Sequence, residues 1–346
     1  MDSPRISIIV LNWNGWRDTI ECLESLYQIA YSNYDVIVVD NGSADDSVRN
    51  LEMYAEGRIE VKSRFIEYKM NKKPISIMQH QTNESDGIEF ERSGISASCS
   101  DRKLVLLRNE NNLGYAEGNN VGIRFALRVF DSDYVLLLNN DVVVAPDFLA
   151  QMISAAEALP EAGIFSPKIY FYGQAERIQL TWNRVELVSG SVFLAGAGEI
   201  DQGQFDEIAE TDYSQGVCFL IRRATIDSLG LFDSEFFCYF EETDYCFRAR
   251  KAGIKRIYVP KARIWHKVSQ SANKIDGFAL YYMTRNRFWF TKRHALPRQY
   301  LSFILYFFTV ELWKSLLTLI AGRSSVHAMN SYLRGVLDGM KTGPKQ

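Results

Sequence analysis

The sequence has no C-x-x-C pair, and its five cysteines, Cys22, Cys99, Cys218, Cys238 and Cys246, are odd in number. That usage argues against a disulfide framework or a zinc ribbon and fits a reducing compartment. An excess of charge of one sign is lacking too. The chain has 39 Lys and Arg against 42 Asp and Glu, a net charge of −3, so bulk charge gives nucleic acid no hold on it. No G-x-G-x-x-G follows the first apolar run and no G-x-x-x-x-G-K-[ST] occurs, which weighs against dinucleotide dehydrogenases and P-loop enzymes. No repeat is visible. No small-residue cleavage site follows MDSPRISIIVLNWNG, whose apolar run breaks at Asn12, so it reads as a first buried strand rather than a signal peptide. What is abundant is apolar surface: 47% apolar against 23% charged residues excludes a disordered chain. A length of 346 residues predicts two domains or one large α/β domain.

The first half alternates strand and helix signals. Ile6–Leu11 is a continuous apolar run, as a strand covered on both faces requires. Trp16–Tyr27 has helical spacing, with Ile20, Leu23 and Leu26 on one side. Further strands are predicted at Asp35–Val39, Leu104–Leu107 and Tyr134–Leu138. Helices are predicted over Ser43–Tyr54, with Asp45 and Asp46 in its first turn, and over Ala116–Phe130. Such β-α units imply a mainly parallel sheet flanked by helices, with ligands beyond the carboxyl ends of the strands. Arg58–Asp101 is polar and reads as an insertion, in part a loop or small subdomain. Later strands are predicted at Gly163–Lys168, Val192–Ala195 and Val217–Ile221, and helices at Ala224–Leu229 and Thr243–Ala252. The pattern divides the chain into an α/β domain over 1–295 and a basic, aromatic, helical tail over 296–346.

From Arg285 onward ten Lys and Arg face only Glu311 and Asp338. The same stretch contains the apolar-rich Leu301–Ile320, long enough to span a bilayer but with Glu311 and Lys314 near its middle, where charge is costly. Those two are spaced i,i+3 and could pair. A helix lying on an anionic membrane surface is the first reading; a buried core or oligomer helix and a true span are the alternatives.

Every predicted strand of the first half ends in Asn or Asp: Asn12-Trp13-Asn14-Gly15, Asp40-Asn41-Gly42-Ser43, Asn109 to Gly114 with the following Tyr115 to Asn120, and Asn139-Asn140-Asp141. One such cluster is a turn or a helix cap. Four at one sheet edge point to a polar ligand. Gly114, Gly118 and Gly122, spaced by four, would line one helix face and let it pack closely on the sheet, with a close approach of backbone to ligand at Gly114 as the alternative. Asp141, at the end of a buried strand, is the kind of carboxylate that a hard cation such as Mg2+ or Mn2+ needs; Asn139 and Asn140 would add only weak ligands. A second acidic site, Glu241-Glu242-Thr243-Asp244, follows an aromatic run. Acids at a helix start answer the dipole in any case. Adjacent Glu241 and Glu242 are poorly placed to flank one glycosidic bond as a hydrolase pair does.

The ordered set ISIIVLNWNG, VIVVDNGSADDS, NLGYAEGNN, VLLLNND and GLFDSEFFCYFEETDYCFRARKAG resembles the family 2 glycosyltransferases of GT-A fold, in their bacterial rhamnosyltransferase-like branch. The resemblance spans roughly residues 5–270. It implies a Rossmann-like, mainly parallel sheet and an inverting, metal-dependent transfer from a nucleotide-diphosphate sugar. Asn12 and Asp40 would line the base and ribose pocket, with Asn41, Ser43 and Asn140 at the same donor site, and Asn119 would face the nucleotide or diphosphate. Asp141 matches the last Asp of the D-x-D metal motif, whose first Asp is Asn139 here. His266 resembles the C-terminal His that ligates the metal or diphosphate. Glu242 takes the place of the catalytic base, beside Glu241, with Asp244 left a structural or arginine-pairing role. Arg285 is suited to bidentate phosphate contacts, or to lipid headgroups. The branch implies rhamnose as the sugar, a glycan or polyprenyl-linked acceptor and work at the inner face of the cell membrane. Another sugar, such as galactofuranose or a hexosamine, and a non-catalytic nucleotide-sugar-binding module are the rival readings; a homo-oligomer is compatible with either.

Overall fold

The computed structural model describes residues 3–82, 103–268, 276–322, 324–341 and 343. In chain order the elements are β1 (Ile6–Asn12), α1 (Trp16–Leu26), β2 (Tyr34–Asn41), α2 (Ser47–Ala55), β3 (Ser76–Thr82), β4 (Lys103–Asn109), α3 (Gly114–Phe125), β5 (Tyr134–Asn139), β6 (Val142–Val144), α4 (Phe148–Ala158), β7 (Ala162–Phe171), β8 (Gln174–Leu180), β9 (Asn183–Glu186), β10 (Ser191–Leu194), β11 (Ala209–Glu210), β12 (Cys218–Arg222), α5 (Arg223–Leu229), α6 (Glu241–Lys251), β13 (Lys255–His266), α7 (Phe278–His294), α8 (Pro297–Tyr306), α9 (Leu312–Ala321) and α10 (Val326–Met340). Eleven strands form one sheet in the order β11-β13-β7-β12-β5-β1-β2-β4-β3, with β6 added on β13 and β8 on β7.

The β-α units predicted from the apolar runs are present. β4, β2, β1 and β5 lie side by side and parallel. The chain moves outward from β1 through β2 to β4, then returns to the other side of β1 with β5, so the strand order reverses at β1. Alternation along β1 supplies both cores. Ile6, Ile8 and Val10 pack with α1, α2 and α4 through Leu23, Leu51 and Phe148, and Ile9 packs with α3 and α6 through Val121 and Tyr245. At Gly122 a Cβ would sit 2.6 Å from the Ile9 side chain, so α3 lies against the sheet as the glycine spacing predicts.

Some boundaries differ. α2 begins at Ser47, not Ser43, because Asp45 Oδ1 accepts from the Ser47 N–H and hydroxyl; Asp45 and Asp46 precede the helix. The region expected to be an insertion contributes a strand: β3 pairs in parallel with β4 at the sheet edge. The segment before it is anchored by Lys73, whose Nζ lies 3.1 Å from Glu24 Oε2 and 3.5 Å from the Tyr54 ring centroid. Residues 83–101 of that insertion lie outside the described residues.

α7 belongs to both parts of the molecule. Phe290 packs on Phe236 and on Phe247 of α6, while the fully buried Phe288 packs against Phe303 of α8, Phe307, and Tyr332 and Val336 of α10. An 18-residue stretch of the helix Pro297–Ala321 has a mean hydropathy of 1.6, yet only 17% of that stretch is buried, and the helix exposes Leu301, Leu305, Trp313, Leu317 and Ile320. That exposure does not fit the buried-core alternative. Glu311 is not paired with Lys314; it faces Arg287 of α7 at 3.4 Å.

Phe288→Ala would leave a void at the joint of α7, α8 and α10. It is expected to cost about 3–5 kcal/mol in denaturant unfolding. Leu301→Ala, on the exposed face, is expected to stay within about 0.5 kcal/mol.

Candidate active site

A cavity of about 530 Å3 opens beyond the carboxyl ends of β1 and β5, and Asn41, Asn140, Asp141, Glu241, Glu242 and His266 are among its walls. Two distant motifs meet there for a backbone reason. β6 starts directly after Asp141 and pairs antiparallel with the end of β13, setting Val142 opposite His266, and the Lys267 N–H donates to the Asp141 carbonyl at 3.0 Å. His266 Nε2 thereby lies 3.1 Å from Asp141 Oδ1. The approach lacks hydrogen-bond geometry, and Nε2 is a buried ring nitrogen with no hydrogen-bond partner. Gln179 Oε1 sits 2.9 Å from Nδ1 on the other side of the ring. With Nδ1–H donating to Gln179, Nε2 turns a lone pair toward the carboxylate, a nitrogen and oxygen donor pair that suits a divalent cation. Among the described residues no group of three or more His, Cys, Asp and Glu is placed for a metal, so this chain offers two such ligands at the site.

Glu241 and Glu242 open α6 opposite these groups. Glu241 is buried, and the Oε2 atom of each is buried without a hydrogen-bond partner. Burial pushes both carboxyls up. Glu241 rises well above the usual range, through burial and then the neighbouring Glu242. Glu242 rises to about 7, because backbone N–H groups at the helix start and a hydrogen bond from Glu241 offset part of its burial. Near neutral pH the pair therefore does not carry two full negative charges. Asp244 has the opposite environment. Its buried carboxylate meets Arg248 at 2.9 Å, Arg293 at 3.0 Å and His294 at 2.8 Å, and these partners hold it below the ordinary range despite burial. It ties α6 to α7, the structural role expected of it.

The segment before α6 is strained. Phe237, Tyr239 and Phe240 all have positive φ (63°, 69° and 72°), a conformation costing about 1–3 kcal/mol per non-glycine residue. At Phe237, with ψ of −60°, the Cys238 N–H donates back to the Phe236 carbonyl at 2.7 Å, a γ-turn of the rare positive-φ kind.

The other strand-end residues chiefly satisfy one another. Asp40 Oδ1 accepts from Asn12 Nδ2 at 2.7 Å and from the Ser43 hydroxyl at 2.6 Å, and Oδ2 accepts from the Ser43 N–H at 3.2 Å. Asn12, Asp40 and Ser43 thus form a network beside the cavity rather than part of its wall. Asn41 reaches the wall but donates to Asn112 and the Gly114 carbonyl and accepts from Asn109 and Leu113 N–H. Asn119, buried in α3, donates to the Tyr115 carbonyl 2.8 Å away and is not a wall residue. Asn140 donates to the Thr19 hydroxyl at 3.0 Å. Arg285 is not among the walls of the cavity. It stacks 4.1 Å from the Trp289 ring and donates to the carbonyls of Glu235 and Phe236, because α7 runs behind the strained segment.

Sequence reasoning missed Gln179, Tyr115 and Asn286. Tyr115, in the quoted NLGYAEGNN, lines the cavity and donates its hydroxyl to the Gly216 carbonyl. Asn286 stands between Arg285 and Arg287 in a basic run, where a neutral amide carries no local signal, and Gln179, on an unpredicted strand, has none either.

Comparison with known proteins gives the family and the fold. The model of the family described as "Glycosyltransferase like family 2" matches residues 83–289, and that of "Glycosyl transferase family 2" matches residues 7–73. The chain is 25% identical over 55% of its length to the low-salt glycan biosynthesis hexosyltransferase Agl10 of Haloferax volcanii. It spans 61% of that protein, and 26% of a longer Sinorhizobium fredii relative. It is also 25% identical, over 58% of its length and 69% of the relative's, to the N-acetylglucosaminyl-diphospho-decaprenol L-rhamnosyltransferase of Mycobacterium tuberculosis. Among solved structures, the mannosyltransferase PcManGT of Pyrobaculum calidifontis, in complex with GDP-Man and Mn2+, superposes with a TM-score of 0.52 at 14% identity, covering 98% of this chain and 86% of that one. That likeness gives the fold, the GT-A fold expected from the motifs. The chain belongs to glycosyltransferase family 2 and, within it, resembles the rhamnosyltransferase-like branch.

Proposed function

We propose that the chain is an inverting, metal-dependent glycosyltransferase that moves a sugar, with rhamnose the favoured candidate, from a nucleotide-diphosphate donor to a hydroxyl of a cell-envelope glycan or lipid-linked acceptor. The observation that carries this reading is one cavity walled both by the Asp141–His266 pair and by the Glu241–Glu242 pair. Asp141 and His266 are the residues that would hold Mg2+ or Mn2+, the ion that resembling enzymes use. When bound, such an ion neutralises the charge of a departing diphosphate. Gln179 keeps the His266 ring in place. Glu242 accepts the proton of the acceptor hydroxyl as its oxygen attacks the anomeric carbon from the face opposite the leaving group. Glu241, protonated, donates to Glu242 and keeps the second negative charge out of the site. A carboxylate with its pKa near 7 is well matched to this task at neutral pH. The likeness to a decaprenol-linked rhamnosyltransferase supports rhamnose and a polyprenyl diphosphate acceptor, the latter suited to the tail.

In this reading residues 1–295 bind the donor and do the chemistry, and residues 296–346 hold the enzyme at the cytoplasmic face of the membrane where a lipid-linked acceptor resides. The exposed apolar side chains of Pro297–Ala321, on a chain segment rich in Lys and Arg, support a helix lying on an anionic surface.

Glu242→Gln is expected to retain donor binding and lose transfer by at least about 100-fold. The wild-type rate should rise with pH through about 7, as the base loses its proton, and that limb should vanish in the variant. Near-normal turnover of Glu242→Gln would move the base elsewhere.

Asp141→Ala should stay folded, lose transfer and lose Mn2+-dependent binding of UDP or dTDP in titration calorimetry. Full activity of the wild type in EDTA would count against a metal.

The full chain should bind vesicles containing phosphatidylglycerol, bind them less as salt rises, and ignore neutral phosphatidylcholine vesicles. Leu305→Glu with Leu317→Glu should abolish that binding. Indifference to anionic lipid, with self-association through the same face, would favour an oligomer helix.

A further inference from the structure

The segment Phe236–Phe240 runs against backbone preference at three residues, and something must hold it. Its carbonyls show what does. The Phe237 carbonyl accepts from the N–H groups of Tyr115 and Ala116, at 2.6 and 3.2 Å, at the start of α3. Gly114, at φ +79°, permits this approach, since a Cβ there would lie 2.5 Å from that oxygen. The Phe240 carbonyl accepts from the Asp244 N–H in the first turn of α6 at 2.8 Å, and the other three carbonyls share one side chain. Asn286 Nδ2 lies 2.9 Å from the Phe236 carbonyl, 2.9 Å from that of Cys238 and 2.7 Å from that of Tyr239. Asn286 is fully buried in α7, and its Oδ1 accepts from Arg285 Nε at 2.8 Å, which fixes the amide so that its donors face the segment. Arg285 adds donors to the Glu235 and Phe236 carbonyls.

We infer that Asn286 is a positioning residue for the Glu241–Glu242 pair: its amide clamps the strained segment whose last residue, Phe240, sets where α6 starts and hence where both carboxyls point. The inference rests on the proposed role of that pair, but its cause is local geometry. A two-donor amide shared among three carbonyls has no equivalent in another side chain of similar size. An amide proton shared in this way makes bent bonds, so the grip depends on all three carbonyls staying together. α7 carries the C-terminal helices on its other side, so the clamp also joins their docking to the position of the carboxyl pair.

The test reads the carboxyl pair without substrate. The folded-state pKa values of both carboxyls lie above the unfolded value, so their contribution to stability is full below the unfolded value and is lost as pH rises through the folded one. The melting temperature of the full wild-type chain should therefore fall between about pH 5 and 8. The groups facing the pair, Tyr115 of α3, Tyr213 before β12, Cys238, Tyr239 and Cys246, are all pushed upward by burial and do not titrate in that window. Asp244 turns away to Arg248, Arg293 and His294. The Glu241→Gln, Glu242→Gln double variant defines the part of the change that belongs to the pair, apart from the buried His294, whose lowered pKa acts in the opposite direction. In Asn286→Ala the segment relaxes, water reaches the pair, and that part should shrink to less than about half. Asn286→Ser, which keeps one short donor, should lie between the two and serves where the alanine variant does not fold. A curve lowered equally at every pH, with the wild-type fall intact, would mean that Asn286 only stabilises the fold and would overturn the inference. A wild-type fall that the double glutamine variant leaves unchanged would overturn it as well. Neither result depends on turnover, so an active Glu242→Gln enzyme would refute the catalytic reading and leave this one to stand or fall on its own data.

Discussion

The structure hangs on the parallel register of β4, β2, β1 and β5. Pairing Asn12 with Asp40, Asn41 with Asn109 and Leu11 with Asn139 brings four strand ends to one line. The backbone groups there leave the sheet without a further strand partner, and buried polar groups need partners. Short polar side chains provide them: Asn12, Asp40 and Ser43 form one knot, and Asn41, Asn109 and Thr82 another. The turns that follow are fixed by these knots, and they in turn fix where α1 and α3 begin. A cluster that looks like a ligand site in sequence is thus first a device for ending a buried sheet: of the two knots only Asn41 lines the cavity, whereas Asn139, Asn140 and Asp141 after β5 all do.

Two treatments of buried carboxyl groups stand two residues apart on one short helix. Asp244 has a histidine and two arginines around it and remains an anion. Glu241 and Glu242 have each other and backbone N–H groups, with no cation at the pair among the causes that set their pKa values. An unpaired buried carboxyl is costly to the fold, and at the head of a helix a shorter or neutral residue would do better on stability alone. A proton-handling role of the kind proposed for the pair would need such a cost at a cavity wall. The strained backbone just before the pair is a second cost at the same place, and both are held by α3 on one side and α7 on the other.

α7 therefore joins what composition separates. The shift from an even charge balance to a basic, aromatic stretch falls near residue 295, and the helix break between His294 and Pro297 agrees with it. Yet the packing does not break there. Phe290 belongs to the core around α6 and Phe288, two residues earlier, to that of the C-terminal helices.

By itself the sequence determined what short-range periodicity and turn chemistry can carry. Ile6–Leu11 and Tyr134–Leu138 read as buried strands because every residue is apolar, Gly122 announced a close helix, and the order of motifs gave the family. Asp141 drew notice as a carboxylate at a strand end, and Glu242 through the place it takes in the family motif. Tertiary structure decided the rest. β3, β6, β8 and β11 are too short or too polar to show a period, and exist because a neighbouring strand offers its edge. His266 meets Asp141 only through the pairing of β6 with β13. Arg285 and Asn286 are adjacent in a basic run, and nothing local says that the first turns to carbonyls and a tryptophan ring while the second grips a strained segment some fifty residues away. The direction of a side chain on a helix depends on which face the rest of the fold covers, and that is settled only when distant elements pack.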